Sequence, residues 1–226
     1  MGGWADGGMG GWIAIVTAIL SAHPATRPSA QDPAPTLERA STAYAAVSTL
    51  SADFVQVVVN PLLGTPDTAR GTLYLHRPNR FAMRFTVPQG DRIVADGRHL
   101  WLYTPSTTPG QALRSGIPKT GTAGPNLVGQ FVERTSERYH ARYLRADSLE
   151  TGVADVIALV PKKGAPGYSE AVIWVDRSDG LVRRLDITED SGQHRIVSLH
   201  RLRVNAVVPP REFRFSPPAG VRVVDL

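Results

Sequence analysis

Along residues 81–87 the side chains alternate strictly, with Phe81, Met83, Phe85 and Val87 in one phase and Ala82, Arg84 and Thr86 in the other. A period of two is the signature of a strand with one face turned to a core. The same signature recurs in residues 54–59, 71–76, 92–95, 99–103, 139–144, 153–160, 171–176, 181–188, 195–204 and 213–215. Turn signals separate these runs: Asn60-Pro61, Asp96-Gly97, Asp179-Gly180 and Ser191-Gly192. Asp-Gly suits the positive φ angles of a tight hairpin turn. With no alternation of strands and helices, the pattern predicts a mainly β (α+β) fold. Its expected form is one curved antiparallel sheet around a core, with a few helices over the open side.

Two helices are expected. Asp32-Pro33 is a plausible start for the first, in which Leu37, Ala40, Tyr44, Val47 and Leu50 recur at three- and four-residue spacing. The second spans residues 125–134, begins at Pro125 and carries the apolar stripe Leu127, Val128, Phe131 and Val132. It contains Gly129 and is too short to be stable alone, so it needs a surface to dock on. Residues 104–124, rich in Gly, Pro, Ser and Thr, are expected to form a mobile loop. Residues 32–226 read as one domain. Ahead of it, residues 1–31 read as a signal peptide and a Pro-rich linker, because the apolar run from Trp12 to Leu20 is shorter than the ~20 residues of a membrane span.

The charge balance, +5 and almost all arginine, comes from residues spread among acids, without a basic run or an aromatic platform. Nucleic acid is therefore not expected as a partner. The chain has no cysteine, which excludes disulfides, thiolate chemistry and N-terminal lipid attachment. No metalloprotease, nucleophile-elbow, phosphate-loop or dinucleotide motif occurs, and the six histidines form no helical ligand pair. No enzyme activity, metal or cofactor is expected. One charged residue stands out. Arg77 continues the phase of Leu73 and Leu75. It either faces the interior with its donors satisfied, or begins a turn before Pro78 and reaches out to solvent.

Five segments, in order, resemble the outer-membrane lipoprotein carrier family of the LolA type. They are Leu50-Ser-Ala-Asp-Phe-Val-Gln56, the run from Gly71 through Arg77-Pro78 to Phe81, the run from Asp96 to Pro105 including His99-Leu-Trp101, Asp186-Ile187, and the run from Phe213 to Val221. The resemblance implies an incomplete β-barrel closed by a helical lid. It also implies a periplasmic, cofactor-free carrier that takes lipoproteins from an inner-membrane ABC-type release complex to an outer-membrane acceptor, and acts as a monomer. Strand phase and the resemblance together place Leu73, Leu75, Phe81, Met83, Phe85 and Trp101 in an apolar cavity, with Leu127 and Phe131 on the lid. Arg77 matches the family's lid-bonding arginine. A lipid-sensing regulatory module of the same fold is the alternative reading.

Overall fold

The computed structural model describes residues 31–62, 64–117, 127–162 and 167–226. The expected signal segment, the Pro125 helix start and the end of the 104–124 loop fall outside these residues. One helix, α1 (Ala34–Ala45), precedes six strands: β1 (Thr49–Val59), β2 (Asp67–His76), β3 (Arg80–Val87), β4 (Arg92–Asp96), β5 (His99–Tyr103) and β6 (Gln111–Gly116). Two single-turn helices follow, α2 (Gly129–Val132) and α3 (Thr135–Arg138). Then come β7 (Tyr139–Leu149), β8 (Gly152–Pro161), β9 (Tyr168–Asp176), β10 (Val182–Glu189) and β11 (His194–Val204). A 3-10 turn (Pro210–Phe213) and β12 (Arg222–Asp225) end the chain.

Among the described residues all twelve strands form one mixed sheet, in the order β12-β6-β5-β4-β3-β2-β1-β11-β10-β9-β8-β7. Among the described residues β7 and β12 have no partner on their outer sides, so the sheet is not closed into a barrel. The hairpin turns form where the sequence puts them. At the β4–β5 turn Gly97 takes φ 103°, while the Asp96 carboxylate accepts hydrogen bonds from the backbone N–H groups of Arg98 and His99, both at 2.8 Å.

Five expectations need correction. The second helix does not run on to Arg134: α2 ends at Val132, Glu133 is extended, Arg134 takes a φ of 50° and a separate helical turn, α3, follows. Leu50 is not the end of the first helix; it is buried in β1, because α1 stops at Ala45. The 104–124 stretch is not loop throughout, since Gln111–Gly116 is a strand. Residues 213–215 are not a strand: Phe213 closes a 3-10 turn that begins at Pro210. The sheet is not purely antiparallel, for β12 pairs with β6 in parallel. That short pair is clamped by Arg114, whose Nη2 donates to Asp225 Oδ2 at 2.8 Å.

The sheet buries its concave face. Leu73, Leu75, Phe81, Met83, Ile157, Ile173, Leu185 and Val197 share one apolar cluster with Leu37, Ala40 and Tyr44 of α1 and with Phe131 and Val132 of α2. A four-residue helix has no stability of its own. Full burial of Phe131 and Val132 stabilises α2, at roughly 1.5–3 kcal/mol for a large apolar side chain. Gly71 stands where the sheet leaves no room for a side chain. It opposes Phe54 on β1 and Phe85 on β3, at a register irregularity, and the two rings meet edge to face at 5.0 Å. A Cβ at this position would collide with the Arg84 carbonyl oxygen and lie 2.9 Å from the Phe54 ring.

The convex face carries two smaller clusters. One is Ala154, Val156 and Trp174; the other is Ala82, Val94, Trp101 and Phe213, with Tyr74, Val208 and Phe215 against it. The segment after β11 thus covers apolar strand residues that would otherwise meet water.

Candidate functional site

Against the concave face of the sheet lies a cavity of about 270 Å³, lined by strand residues and by the segments that precede α2 and β9. Its apolar wall comes from Phe81 and Met83 of β3, Ile93 of β4, Ile187 of β10 and Val197 of β11, with Leu127 entering from the segment before α2. Cross-strand pairing explains this convergence: Met83 opposes Ile93, and residues of one phase on successive strands line the same face. A larger groove of about 620 Å³ runs between α1, α3 and β7, but Glu38, Arg134 and Lys162 mix with Leu37 and Val132 along it. The smaller cavity sits on the apolar phase of β3, β4, β10 and β11, with Gln56, Glu189 and Arg195 completing its lining, and for that apolar wall it is the candidate site.

The roof is tied down at three places. Asp155 of β8, 3% exposed, accepts hydrogen bonds from Thr36 Oγ1 at 2.9 Å and Arg39 Nη2 at 3.0 Å, both on α1, and from Arg177 Nε at 2.8 Å. Burial works against its ionisation, yet the hydrogen bonds from Arg177, Thr36 and Arg39 outweigh burial and hold its carboxyl below the usual range. At the second place, the Gln130 carbonyl of α2 accepts from Arg138 Nη1 at 2.7 Å and from the Tyr139 hydroxyl at 3.2 Å. The Tyr139 hydroxyl also lies 2.6 Å from that of Tyr168, whose pKa is pushed up by burial and by this pairing.

Arg77 forms the third tie, from the turn between β2 and β3. Its Nη2 donates to Glu133, the residue that caps the C-terminal end of α2. Its Nη1 donates to the Tyr44 carbonyl oxygen at 3.1 Å, and its guanidinium sits 4.9 Å from the centre of the Tyr44 ring. One side chain therefore joins α1, α2 and the sheet. Burial raises the Tyr44 hydroxyl to about 12, so Tyr44 is neutral beneath this cation at any physiological pH. Of the two orientations open at the sequence level, Arg77 takes the satisfied one, half-buried under the roof.

Most of the residues expected in the cavity come together. Phe81, Met83 and Leu127 line it, Leu73 and Leu75 lie in the same cluster, Phe85 packs on its edge, and Phe131 is fully buried in the roof. Trp101 does not join them. It lies on the convex face against Phe213 and Phe215, with Nε1 donating to Asp96 Oδ2 at 3.0 Å. In β5 the residues in phase with the cavity are Leu100 and Leu102, which oppose Ala95 and Ile93. Ile93, Ile187 and Val197 were not assigned to the cavity from the sequence, although the same alternation marks them. Tyr44, Glu133 and Asp155 carry no local signal, because their roles depend on contacts across 33, 56 and 119 positions.

Sequence comparison settles the lineage. The profile of the outer membrane lipoprotein carrier protein LolA matches residues 45–216, the larger part of the chain. The chain belongs to the LolA family. An outer-membrane lipoprotein carrier protein of Chromobacterium violaceum is 32% identical over 177 residues, covering 78% of this chain and 81% of its own. One of Albidiferax ferrireducens is 30% identical over 185 residues, covering 79% and 85%. Among solved structures, an uncharacterized conserved protein of Thermus thermophilus superposes with a TM-score of 0.55 at 13% identity, covering 87% of this chain and all of that one. MucB superposes with a TM-score of 0.51 at 15% identity, covering 85% of this chain and 65% of MucB. These two likenesses speak for the fold alone. The LolA family is one of carriers and not of catalysts, in keeping with a chain that has no catalytic motif.

Proposed function

We propose that this protein carries lipoproteins across the periplasm, with their acyl chains sheltered between the concave sheet and the roof of α1, α2 and α3. The reading rests on one observation above the family membership: a cavity with an apolar wall on the concave sheet, reached by Leu127 from the segment that leads into α2, beside helices that a single arginine, Arg77, ties to the sheet. It takes its cargo from an inner-membrane ABC-type release complex and passes it to an outer-membrane acceptor, working as a monomer.

The physics of such cargo requires a roof that moves. A chain of about 15 methylenes gains on the order of 12 kcal/mol on leaving water, at roughly 0.8 kcal/mol per methylene. A carrier with an open apolar trough would hold this load too tightly to give it up. Here the same surface has a competing use, since Phe131, Val132 and Leu37 occupy it when no cargo does. Cargo affinity is reduced by whatever free energy closes the roof. The closed cavity, about 270 Å³, lies below the roughly 300–1,000 Å³ of sites for drug-sized molecules, so a long chain enters only when α2 lifts.

The test is release of a lipoprotein from inner-membrane vesicles by the purified protein, followed by native mass spectrometry of the soluble product. A one-to-one complex with the lipoprotein is the expected result. Failure to release any lipoprotein, with the release complex shown to be active on another carrier, would refute the proposal.

A further inference from the structure

One end of the cavity is not apolar. Gln56, Glu189 and Arg195 form part of its lining, opposite Phe81, Met83 and Leu127. Their place follows from strand phase. Arg195 stands two residues before Val197 on β11, Glu189 two residues after Ile187 on β10, and Gln56 on β1 is the direct cross-strand partner of Val197. Arg195 donates from Nε and Nη2 to Glu189 Oε1, at 2.9 and 2.7 Å, and Gln193 Nε2 donates to the other carboxylate oxygen at 3.2 Å. The Arg195 and Glu189 side chains are 37% and 25% exposed, which places them at the mouth of the cavity and not in its depth.

Hydrocarbon laid over this pair would strip water from an ion pair and return nothing, which is costly. An occupant that matches the site carries methylenes at one end and a hydrogen-bond acceptor at the other. An acyl chain in ester or amide linkage has that form, because its carbonyl oxygen accepts at the point of attachment. A guanidinium has five N–H donors in a fixed fork, and only two are spent on Glu189 in the bonds above, while the Gln56 amide offers further donors. Glu189 also fixes the charge that the head must have. With Arg195 already paired, a second carboxylate at this place would face Glu189 as a like charge.

We propose that Arg195 and Gln56 bind the carbonyl of a neutral, ester- or amide-linked acyl chain at the cavity mouth, and that Glu189 turns away free fatty acids. The chain then enters methyl end first, toward Phe81, Met83 and Leu127. The inference rests on the reading that acyl chains occupy this cavity, and it adds which acyl compounds are taken and in which direction.

The test uses methyl dodecanoate, dodecanoic acid and dodecane as competitors that displace Nile red from the full chain. The wild type is expected to bind the ester about tenfold more tightly than either of the others, the effect of one hydrogen bond from a charged donor. Arg195→Met, which keeps the apolar stem, brings ester and alkane to parity. Glu189→Gln reverses the order of ester and acid, a change that loss of a structural ion pair alone would not produce. If Arg195→Met does not fold, Gln56→Leu replaces it and narrows the gap between ester and alkane. Equal binding of all three compounds by the wild type, or an unchanged preference in Glu189→Gln, overturns the head-group assignment while leaving the cavity in place. Displacement by none of them overturns the cavity reading itself, and the assignment with it.

Discussion

Replacing Arg77 by leucine removes the tie that joins α1, α2 and the sheet while leaving the apolar contacts of the roof in place. Three interactions go. The ion pair with Glu133, each side chain about one-third exposed, contributes about 0.5 kcal/mol, as expected for a pair in contact with water. The hydrogen bond to the Tyr44 carbonyl contributes about 1–1.5 kcal/mol, and the guanidinium over the Tyr44 ring about 0.5–1 kcal/mol. Leucine regains about 1 kcal/mol by packing on that ring. The closed state is thus weakened by about 1–2 kcal/mol, which shifts the open-to-closed ratio by roughly 5–30-fold. Under the proposed function cargo binds the open state, so its apparent affinity should rise by up to the same factor and its release should slow. Titration with an apolar dye reads the first effect, and the rate of cargo transfer to acceptor-bearing vesicles reads the second. Glu133→Gln should produce part of the same change, and the double variant less than the sum of the two, since they share one contact. Dye affinity and transfer rate both unchanged in a folded Arg77→Leu protein would refute the reasoning.

Gly71→Ala forces a methyl group against the Arg84 carbonyl and the Phe54 ring and should cost about 1–3 kcal/mol. The melting temperature then drops by roughly 2–10 °C, and an unchanged melting curve would show that β2 and β3 can separate there without strain. Trp101→Ala should lower stability without altering dye affinity, whereas Leu127→Glu should abolish dye binding with little loss of stability; the opposite pattern would place the cavity on the convex face. Acid should loosen the fold through Asp155 and Asp176. Burial opposes ionisation of Asp176, but hydrogen bonds from Ser178 and Thr151 and the Arg183 charge push it down to about 2. Both carboxyls have lower pKa values folded than unfolded, so their stabilisation is complete at neutral pH. It is lost as pH falls from about 4, the ordinary carboxylate range, through the folded values. The difference in melting temperature between wild type and Asp155→Asn should therefore shrink between pH 5 and pH 2. A constant difference would remove Asp155 from the acid response.

What the sequence by itself determined is local in origin. Alternation in residues 81–87 separated Phe81 and Met83 from Ala82, because side chains on a strand point to opposite faces whatever the strand pairs with. The hairpin of β4 and β5 was legible from Asp96-Gly97, because its turn needs a positive φ that glycine tolerates. The run through Arg77-Pro78 was legible as a family motif, while strand phase left two orientations open for Arg77, and its contacts with Tyr44 and Glu133 decided between them. What only the tertiary structure decided depends on partners distant in the chain. Alternation names two faces but not which is concave, and Trp101 sits on the convex one because Phe213 and Phe215 return to cover it. Strand β12 is short and largely exposed, and it exists through a parallel pairing with β6 that Arg114 and Asp225 join across 111 positions. The same is true of the roof. Its single-turn helices have too few residues to be stable alone, so their place was set by the surface on which Phe131 lands and by the arginine that holds them there.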